Sequence, residues 1–257
     1  MARGNWRESI DSLLAQTLID CEIMLVIDNP HVTASEIAFS GPGSERISII
    51  RNEVNRGLTW SLNEAARRAS GKYLIRHDDD DISLPQRAAL LTEYLDRHLD
   101  VDIVCSYAIG QQELHGKKSS WLIRSPIGDA AIKDALSNYN CIVHPTVAFR
   151  TESFNAIGGY DTRFRFAQDY DLFLRAKKRG MIFECIQDPL LVRNYSDQSI
   201  TVSKRRTQAT YSFAAKLLHK ADDAKYLEIA RDLLKFFVLV STPRWARKIR
   251  RQMGLGR

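Results

Sequence analysis

Apolar positions along the chain follow two periods. Between Trp6 and Ala15, the residues Ile10, Leu13 and Leu14 share one face of a 3.6-residue period and predict a helix. Glu22-Ile23-Met24-Leu25-Val26-Ile27 is a nearly continuous apolar run ending at Asp28, which predicts a buried strand of a parallel sheet with a carboxylate at its carboxyl end. After a loop holding Pro30, Gly41, Pro42 and Gly43, Arg46 to Arg51 predicts a second strand. Asn55-Arg56-Gly57 is turn chemistry. Leu58 to Ala69 then reads as a helix with Leu58, Leu62, Ala65 and Ala66 on one side, closed by Gly71 in a left-handed conformation. Tyr73 to His77 is a third strand and runs straight into Asp78-Asp79-Asp80-Asp81. Ser83, Pro85 and Gln86 mark a helix start, and that helix ends between Tyr94 and His98.

Val101 to Val104 is a fourth strand, and residues 110–140 are polar with no readable period. Thr146 to Phe149 is extended, Gly158-Gly159-Tyr160-Asp161 is a tight turn, and Asp169 to Lys178 is helical with Leu172, Phe173 and Ala176 inward. Ile182 to Ile186 is short and extended, and from about Arg206 the pattern is helical to the end. Strands alternating with helices predict a doubly wound α/β sheet, whose ligands bind beyond the carboxyl ends of its strands. Asp28 and the Asp78 cluster both fall there.

Composition adds little beyond bounds. The 257 residues suit one large domain or one domain with an extension, and 44% hydrophobic residues allow a sizeable core. No apolar run approaches the ~20 residues that span a bilayer, and no apolar signal region follows Arg3, so the expected location is the cytoplasm. Cys21, Cys105, Cys141 and Cys185 form no CxxC pair and read as buried, reduced thiols. The net charge of +6 is uneven: fourteen Lys and Arg against four acids from Thr201 onward put +10 on the tail and leave −4 on the first 200 residues. Arg244, Arg247, Lys248, Arg250 and Arg251 surround Trp245, Ile249 and Met253. Such a stripe suits peripheral contact with an anionic membrane, or a solvated helix packed on the domain. There is no base-stacking aromatic pattern, so nucleic acid is not an expected partner.

Four consecutive aspartates after a strand repel one another and need a cation or protons to stay together. Mg²⁺ or Mn²⁺ takes oxygen ligands, usually one or two carboxylates plus substrate phosphates, and neutralises a diphosphate leaving group. The competing reading is a solvated acidic turn capping the next helix, with Asp81 and Ser83 serving that cap. His77, beside the cluster, reads as a packed or hydrogen-bonded side chain. Farther along, Gln168-Asp169-Tyr170-Asp171 opens a helix. Asp169 is there either a cap or a general base for a sugar hydroxyl, and the residues alone leave these two even.

In order and spacing these blocks resemble glycosyltransferase family 2, over about Asn5 to Ser199. The matching blocks are Ser12 to Thr17 with Glu22 to Asp28; Asn55 to Asn63 and Ala69 to Tyr73; Arg76 to Pro85; and His144-Pro145-Thr146, Gly158 to Asp161 and Gln168 to Leu172. The resemblance implies a GT-A-like doubly wound mixed sheet flanked by helices over residues 1–200, with a basic helical extension over 201–257. It implies an inverting, metal-dependent transfer of sugar from a nucleotide donor, UDP-type, to a glycan or lipid-linked acceptor hydroxyl. By position, Asp28 would contact the base, Asp78 and Asp80 would serve the donor and metal, and Asp169 would be the catalytic base. Gly158, Gly159 and Tyr160 would border the acceptor. Arg193 would meet donor phosphate or stay a surface arginine.

Three departures stand out. Gln168 replaces the usual Glu, and Asp28-Asn29 stands where two acids are usual. The apolar first strand usual in the family, central between those matching Glu22 to Ile27 and Tyr73 to His77, has no counterpart in Met1 to Gly4. The expectation is a sheet lacking that strand, with its two neighbours either paired directly or separated by a gap that another segment fills, and with weakened nucleotide binding. A truncated or non-catalytic family member is the alternative function.

Overall fold

A computed structural model describes residues 6–33, 37–114, 116–195, 205–222 and 226–241. In chain order the elements are α1 (Trp6–Leu14), β1 (Ile23–Ile27), β2 (Ile47–Arg51), α2 (Leu58–Arg68), β3 (Tyr73–Ile75), β4 (Ile82–Ser83), α3 (Arg87–Arg97), β5 (Ile103–Leu114) and β6 (Lys117–Ile123). They continue with α4 (Asp129–Leu136), β7 (Ala148–Arg150), α5 (Thr151–Ala156), α6 (Gln168–Lys178), β8 (Phe183–Tyr195), α7 (Arg205–Asp222) and α8 (Tyr226–Ser241).

The main sheet is mixed, in the order β3-β7-β5-β8-β4, with β6 folded back on β5 as a hairpin. β5 and β8 run parallel, while β7 runs antiparallel to both β5 and β3. Apolar side chains on both faces explain why helices cover both. On one face Phe149, Phe183 and Ile103 meet Leu172 and Phe173 of α6, Leu136 of α4 and Ala215 of α7. On the other, Leu91 and Leu95 of α3 pack on Val104, Ala148 and Leu190.

β1 and β2 form a separate parallel pair. Among the described residues β1 does not pair with β3. The two strands instead line opposite parts of one cavity of about 1950 Å³. This corrects the expectation of a buried β1: only Ile23 is buried, and Met24 to Ile27 are half-buried, because among the described residues one edge of the strand has no paired strand. The amino ends of the two strands are tethered, since the Ser70 amide and hydroxyl donate to Glu22 Oε1 at 2.6 and 2.8 Å.

Other expectations also change. Gly71 is not left-handed, and α2 ends instead at Ala69 in an extended conformation. Ser83 does not cap a helix. It lies in β4, donates its amide to Ser12 Oγ, and accepts from Arg87, the first residue of α3. The unread stretch 110–140 holds the far half of β5, β6 and α4. β6 is exposed at nearly every position, so no burial alternation marks it in the sequence. β8 runs well beyond Ile186, to Tyr195. The basic stripe at Arg244 to Met253 lies outside the described residues. No described helix is long and apolar enough to cross a membrane.

Arg150 is a buried cation at the end of β7 that ties the strand to α3 and the segment after it. Its guanidinium donates to the carbonyls of Val101 at 2.7 Å, Leu95 at 2.5 Å and His98 at 2.9 Å. Replacing it with Leu leaves those buried acceptors unpaired, each worth about 1–3 kcal/mol. Arg150→Leu is therefore expected to lower unfolding free energy by about 3 kcal/mol or more. Urea denaturation checks this, and a loss below about 1 kcal/mol would refute the tether.

Candidate active site

The cavity between β1 and β3 continues to the carboxyl ends of those strands, and there the polar residues gather. Asp28, Asp78, Asp79, Asp80, Asn140, His144, Tyr160, Asp169 and Arg193 all line it. Gly158 and Gly159 do not. They make a turn with both φ angles positive, and the Asn63 side chain holds the backbone of Tyr160 at 2.8 and 2.9 Å. Tyr160 itself is buried, its hydroxyl 2.7 Å from His144 Nε2.

The acidic turn joins β3 to β4. It is drawn in by pairing of β4 with β8, which sets Asn194 over the turn: its amide donates to Asp81 Oδ1 at 3.1 Å and its Nδ2 to the Asp80 carbonyl at 2.7 Å. Asp78, Asp80 and Asp81 bring one carboxylate oxygen each within 4.8 Å of one another. Burial raises the Asp80 carboxyl to about 6, helped by Asp78 and Asp79. Burial likewise raises Asp81 to about 8, helped by Asp78 and Asp80. Burial pushes Asp78 up as well, but Arg76, His144 and Arg193 outweigh it and leave that carboxyl below its usual range. Arg76 pairs directly with Asp78.

Beneath the turn Arg87 is fully buried, donating to Ser83 Oγ at 2.9 Å and to the carbonyls of Arg76 and Pro145 at 2.6 Å. Burial lowers it to about 10, so it stays charged at neutral pH. Asp81 Oδ2 is buried with no partner. An all-oxygen donor set with one orphaned carboxylate oxygen is the chemistry Mg²⁺ and Mn²⁺ favour. Asp81, expected in a helix cap, thus joins the cluster. His77 is a packing residue: its ring bridges Ser9 Oγ at 2.8 Å and Ser83 Oγ at 3.2 Å, and burial lowers it to about 3.

Asp28 is tied to the turn after β2. Its carboxylate accepts from Asn52 Nδ2 at 2.8 Å, the Arg56 amide at 2.7 Å and the Gly57 amide at 2.8 Å. Asp169 sits in the first turn of α6, where the dipole favours a carboxylate. Ala167 just before it has φ 55°, a left-handed conformation unusual for a non-glycine residue. Asn140 Nδ2 donates to Asp169 Oδ2 at 2.8 Å. Arg193, on β8, lies over the Tyr195 ring with 5.1 Å to its centroid. Sequence reasoning missed Asn140, Arg76 and Arg87. Arg76 opens the acidic block itself and pairs with Asp78 two residues on, whereas Asn140 and Arg87 stand in no pattern that marks them and only folding brings them to a carboxylate or a buried carbonyl.

Comparison with known proteins gives the family and the fold. The family model for Glycosyl transferase family 2 matches residues 4–158. A glycosyltransferase of amylovoran biosynthesis, AmsE of Erwinia amylovora, is 31% identical over 79% of this chain and 74% of its own. An uncharacterized glycosyltransferase of Methanocaldococcus jannaschii is 28% identical over 83% of this chain and 73% of its own. The fold matches that of S. aureus TarS residues 1–349, solved in complex with UDP-GlcNAc, with a TM-score of 0.67 at 14% identity, over 96% of this chain and 74% of that one. The fold is GT-A-like, and the chain belongs to glycosyltransferase family 2.

Proposed function

We propose that the protein transfers a sugar from a UDP-type donor to a hydroxyl of a glycan or lipid-linked acceptor, with inversion, in the synthesis of a cell-surface polysaccharide or glycolipid. The observation that carries this reading is the single cavity shared by the carboxylates of Asp78 and Asp80 and by Asp169. Mg²⁺ or Mn²⁺ held by Asp80 and Asp78, with Asp81 beside them, would neutralise charge on the departing nucleoside diphosphate. Arg193 meets the diphosphate from β8, and Asp28 faces the base. Asp169 accepts the acceptor proton as the hydroxyl oxygen bonds to the anomeric carbon and the bond to diphosphate oxygen breaks. Tyr160 borders the acceptor side, with Gly158 and Gly159 shaping its turn.

A second reading, a family member that binds donor poorly, is favoured by the open edge of β1, because Asp28 stands at the end of that strand.

Asp80→Ala is expected to abolish Mn²⁺-dependent UDP binding in calorimetry while leaving the melting curve intact. Unchanged affinity would remove Asp80 from the metal site. Asp169→Asn keeps side-chain size and can still cap α6, so UDP binding persists while transfer falls by about 10²–10⁴. Transfer within about tenfold of wild type would make Asp169 a cap only.

The cluster also sets a pH dependence. In the unfolded chain Asp81 ionises near 4, whereas folded it ionises at about 8. The folded state therefore holds a proton that the unfolded state has lost, and stability must fall as pH rises through 8. Buried His77 and His144 act in the opposite sense, but only below pH 6.5, where the unfolded rings gain protons. Metal-free protein is expected to lose up to about 1.4 kcal/mol per pH unit from this group between about pH 6.5 and 8, with the slope fading above pH 8. Asp81→Asn should flatten that slope. Equal slopes for the two proteins in thermal melts would show that Asp81 ionises normally.

A further inference from the structure

β6 and β8 flank β5 on opposite sides, and both reach the candidate site. Ile123 at the end of β6, and Arg193, Asn194 and Tyr195 at the end of β8, line the same cavity. With β5 between them, the two strands are about 9.6 Å apart. Gly110 of β5 is the residue opposite both Trp121 of β6 and Arg193 of β8. Side chains at these positions share one face of the sheet, and Tyr195, two residues beyond Arg193, shares it too.

A side chain at position 110 would stand between Trp121 and β8. Gly110 leaves that place empty and the indole fills it: a Cβ there would lie 2.4 Å from Trp121 Cε2 and 2.6 Å from Nε1. The φ of Gly110 is not positive, so this glycine supplies space for a close approach and not backbone freedom. Lying across β5, the indole comes within 5.2 Å of the Tyr195 ring, centroid to centroid, at 39°. The Arg193 guanidinium lies over the same ring, 5.1 Å from its centroid.

Arg193 needs such a support. Its charge already reaches the acidic turn, where it helps hold the Asp78 carboxyl below its usual range. A long, freely rotating arginine beside several carboxylates would otherwise be drawn onto one of them, and its donors would be spent there. An aromatic ring holds a guanidinium by its face and leaves the N–H groups at the rim open to oxygen acceptors. Among the described residues the side-chain N–H groups of Arg193 have no hydrogen-bond partner.

Resting on the reading that Arg193 meets the donor diphosphate, we propose that Trp121 is a positioning residue for that contact. Through Tyr195 it holds the Arg193 guanidinium with its N–H groups free for phosphate oxygens, and Gly110 is the gap that lets it do so. Trp121 itself touches no part of the donor.

Calorimetry of the full chain in Mn²⁺ tests this, with UDP and uridine as paired probes, because only UDP carries the diphosphate. Trp121→Ala is expected to weaken UDP by about three- to tenfold and to leave uridine unchanged. Trp121→Phe, which keeps a ring beside Tyr195, should recover most of that loss. Gly110→Ala keeps the indole but displaces it, and should reproduce the Trp121→Ala loss. Arg193→Ala should cost at least as much UDP affinity, and adding Trp121→Ala to it should change nothing further. Full UDP affinity in Trp121→Ala, equal weakening of UDP and uridine, or additive losses in the double variant would overturn the role of Trp121. Full UDP affinity in Arg193→Ala would instead overturn the reading beneath it, that Arg193 meets diphosphate, and the proposal with it.

Discussion

Carboxylates at Asp78, Asp80 and Asp81 lose hydration and crowd one another, and the surrounding elements are arranged to offset that cost. Two like charges 4 Å apart repel by about 4 kcal/mol at an effective dielectric of 20. Arg76 meets Asp78 directly, Arg193 approaches from β8, and Arg87 sits buried below. Those three cations face four acids. With Asp81 held to about 8, the charges balance at neutral pH only while Asp81 keeps its proton. A divalent cation would favour release of that proton, leaving one net positive charge with all four carboxylates ionised, a surplus that an anionic diphosphate would offset. The pairing of β4 with β8 then has a clear purpose, since it delivers the Asn194 amide to Asp81. Arg87 serves the same turn, because its bonds to the carbonyls of Arg76 and Pro145 tie β3 to the segment before β7.

The open edges of β1 and β3 belong to the same problem. The cavity that separates the strands is the one that holds the carboxylates, so the wall near Asp28 is only as firm as the β1–β2 pair. Asp28 partly offsets this by gathering Asn52, Arg56 and Gly57 onto its carboxylate, which locks the turn leading into α2. The Glu22–Ser70 contact does the same at the other end. Both tethers bind strand ends, and neither supplies ladder partners along β1.

Most elements were legible because their burial is one-sided or complete. The helices at Leu58 and Asp169 announce themselves by apolar period, as do the strands at Ile23 and Tyr73, although in the structure most residues of those two strands are only half-buried. β6 did not, since its residues face solvent on both sides, and the far half of β8 escaped because polar Arg193 and Asn194 face the site. Ser83 misled through its chemistry. Ser, Pro and Gln in that spacing form a capping signal, but pairing of Ile82 and Ser83 with Val192 and Leu191 competes for the same residues and wins. The acidic run was plain in the sequence, whereas its counter-ions were not. An arginine's partner is set by tertiary contact, as with Arg87 lying under a turn that precedes it in the chain.

The helices after residue 204 bear on the site through one short loop. Lys216 of α7 donates to the Asn138 carbonyl at 2.7 Å, and Arg231 of α8 donates to Asn138 Oδ1 at 3.2 Å. Two residues on, Asn140 donates to Asp169. A second path runs through α6 itself, where His219 lies 3.2 Å from Asp171, which also pairs with Arg175. Asp171 is buried, and neighbouring Asp169 faces the cavity, so fixing one sets the rotation of the helix start that carries the other. The left-handed Ala167 gives that start a defined entry, and Gln168 next to it is largely buried at the cavity wall. A carboxylate that must meet a hydroxyl within about 3 Å needs this kind of support, because a helix end held only by its first turn frays. Gln208 and Ser212 of α7 line the same cavity, so the helix that steadies Asp169 also forms part of its wall.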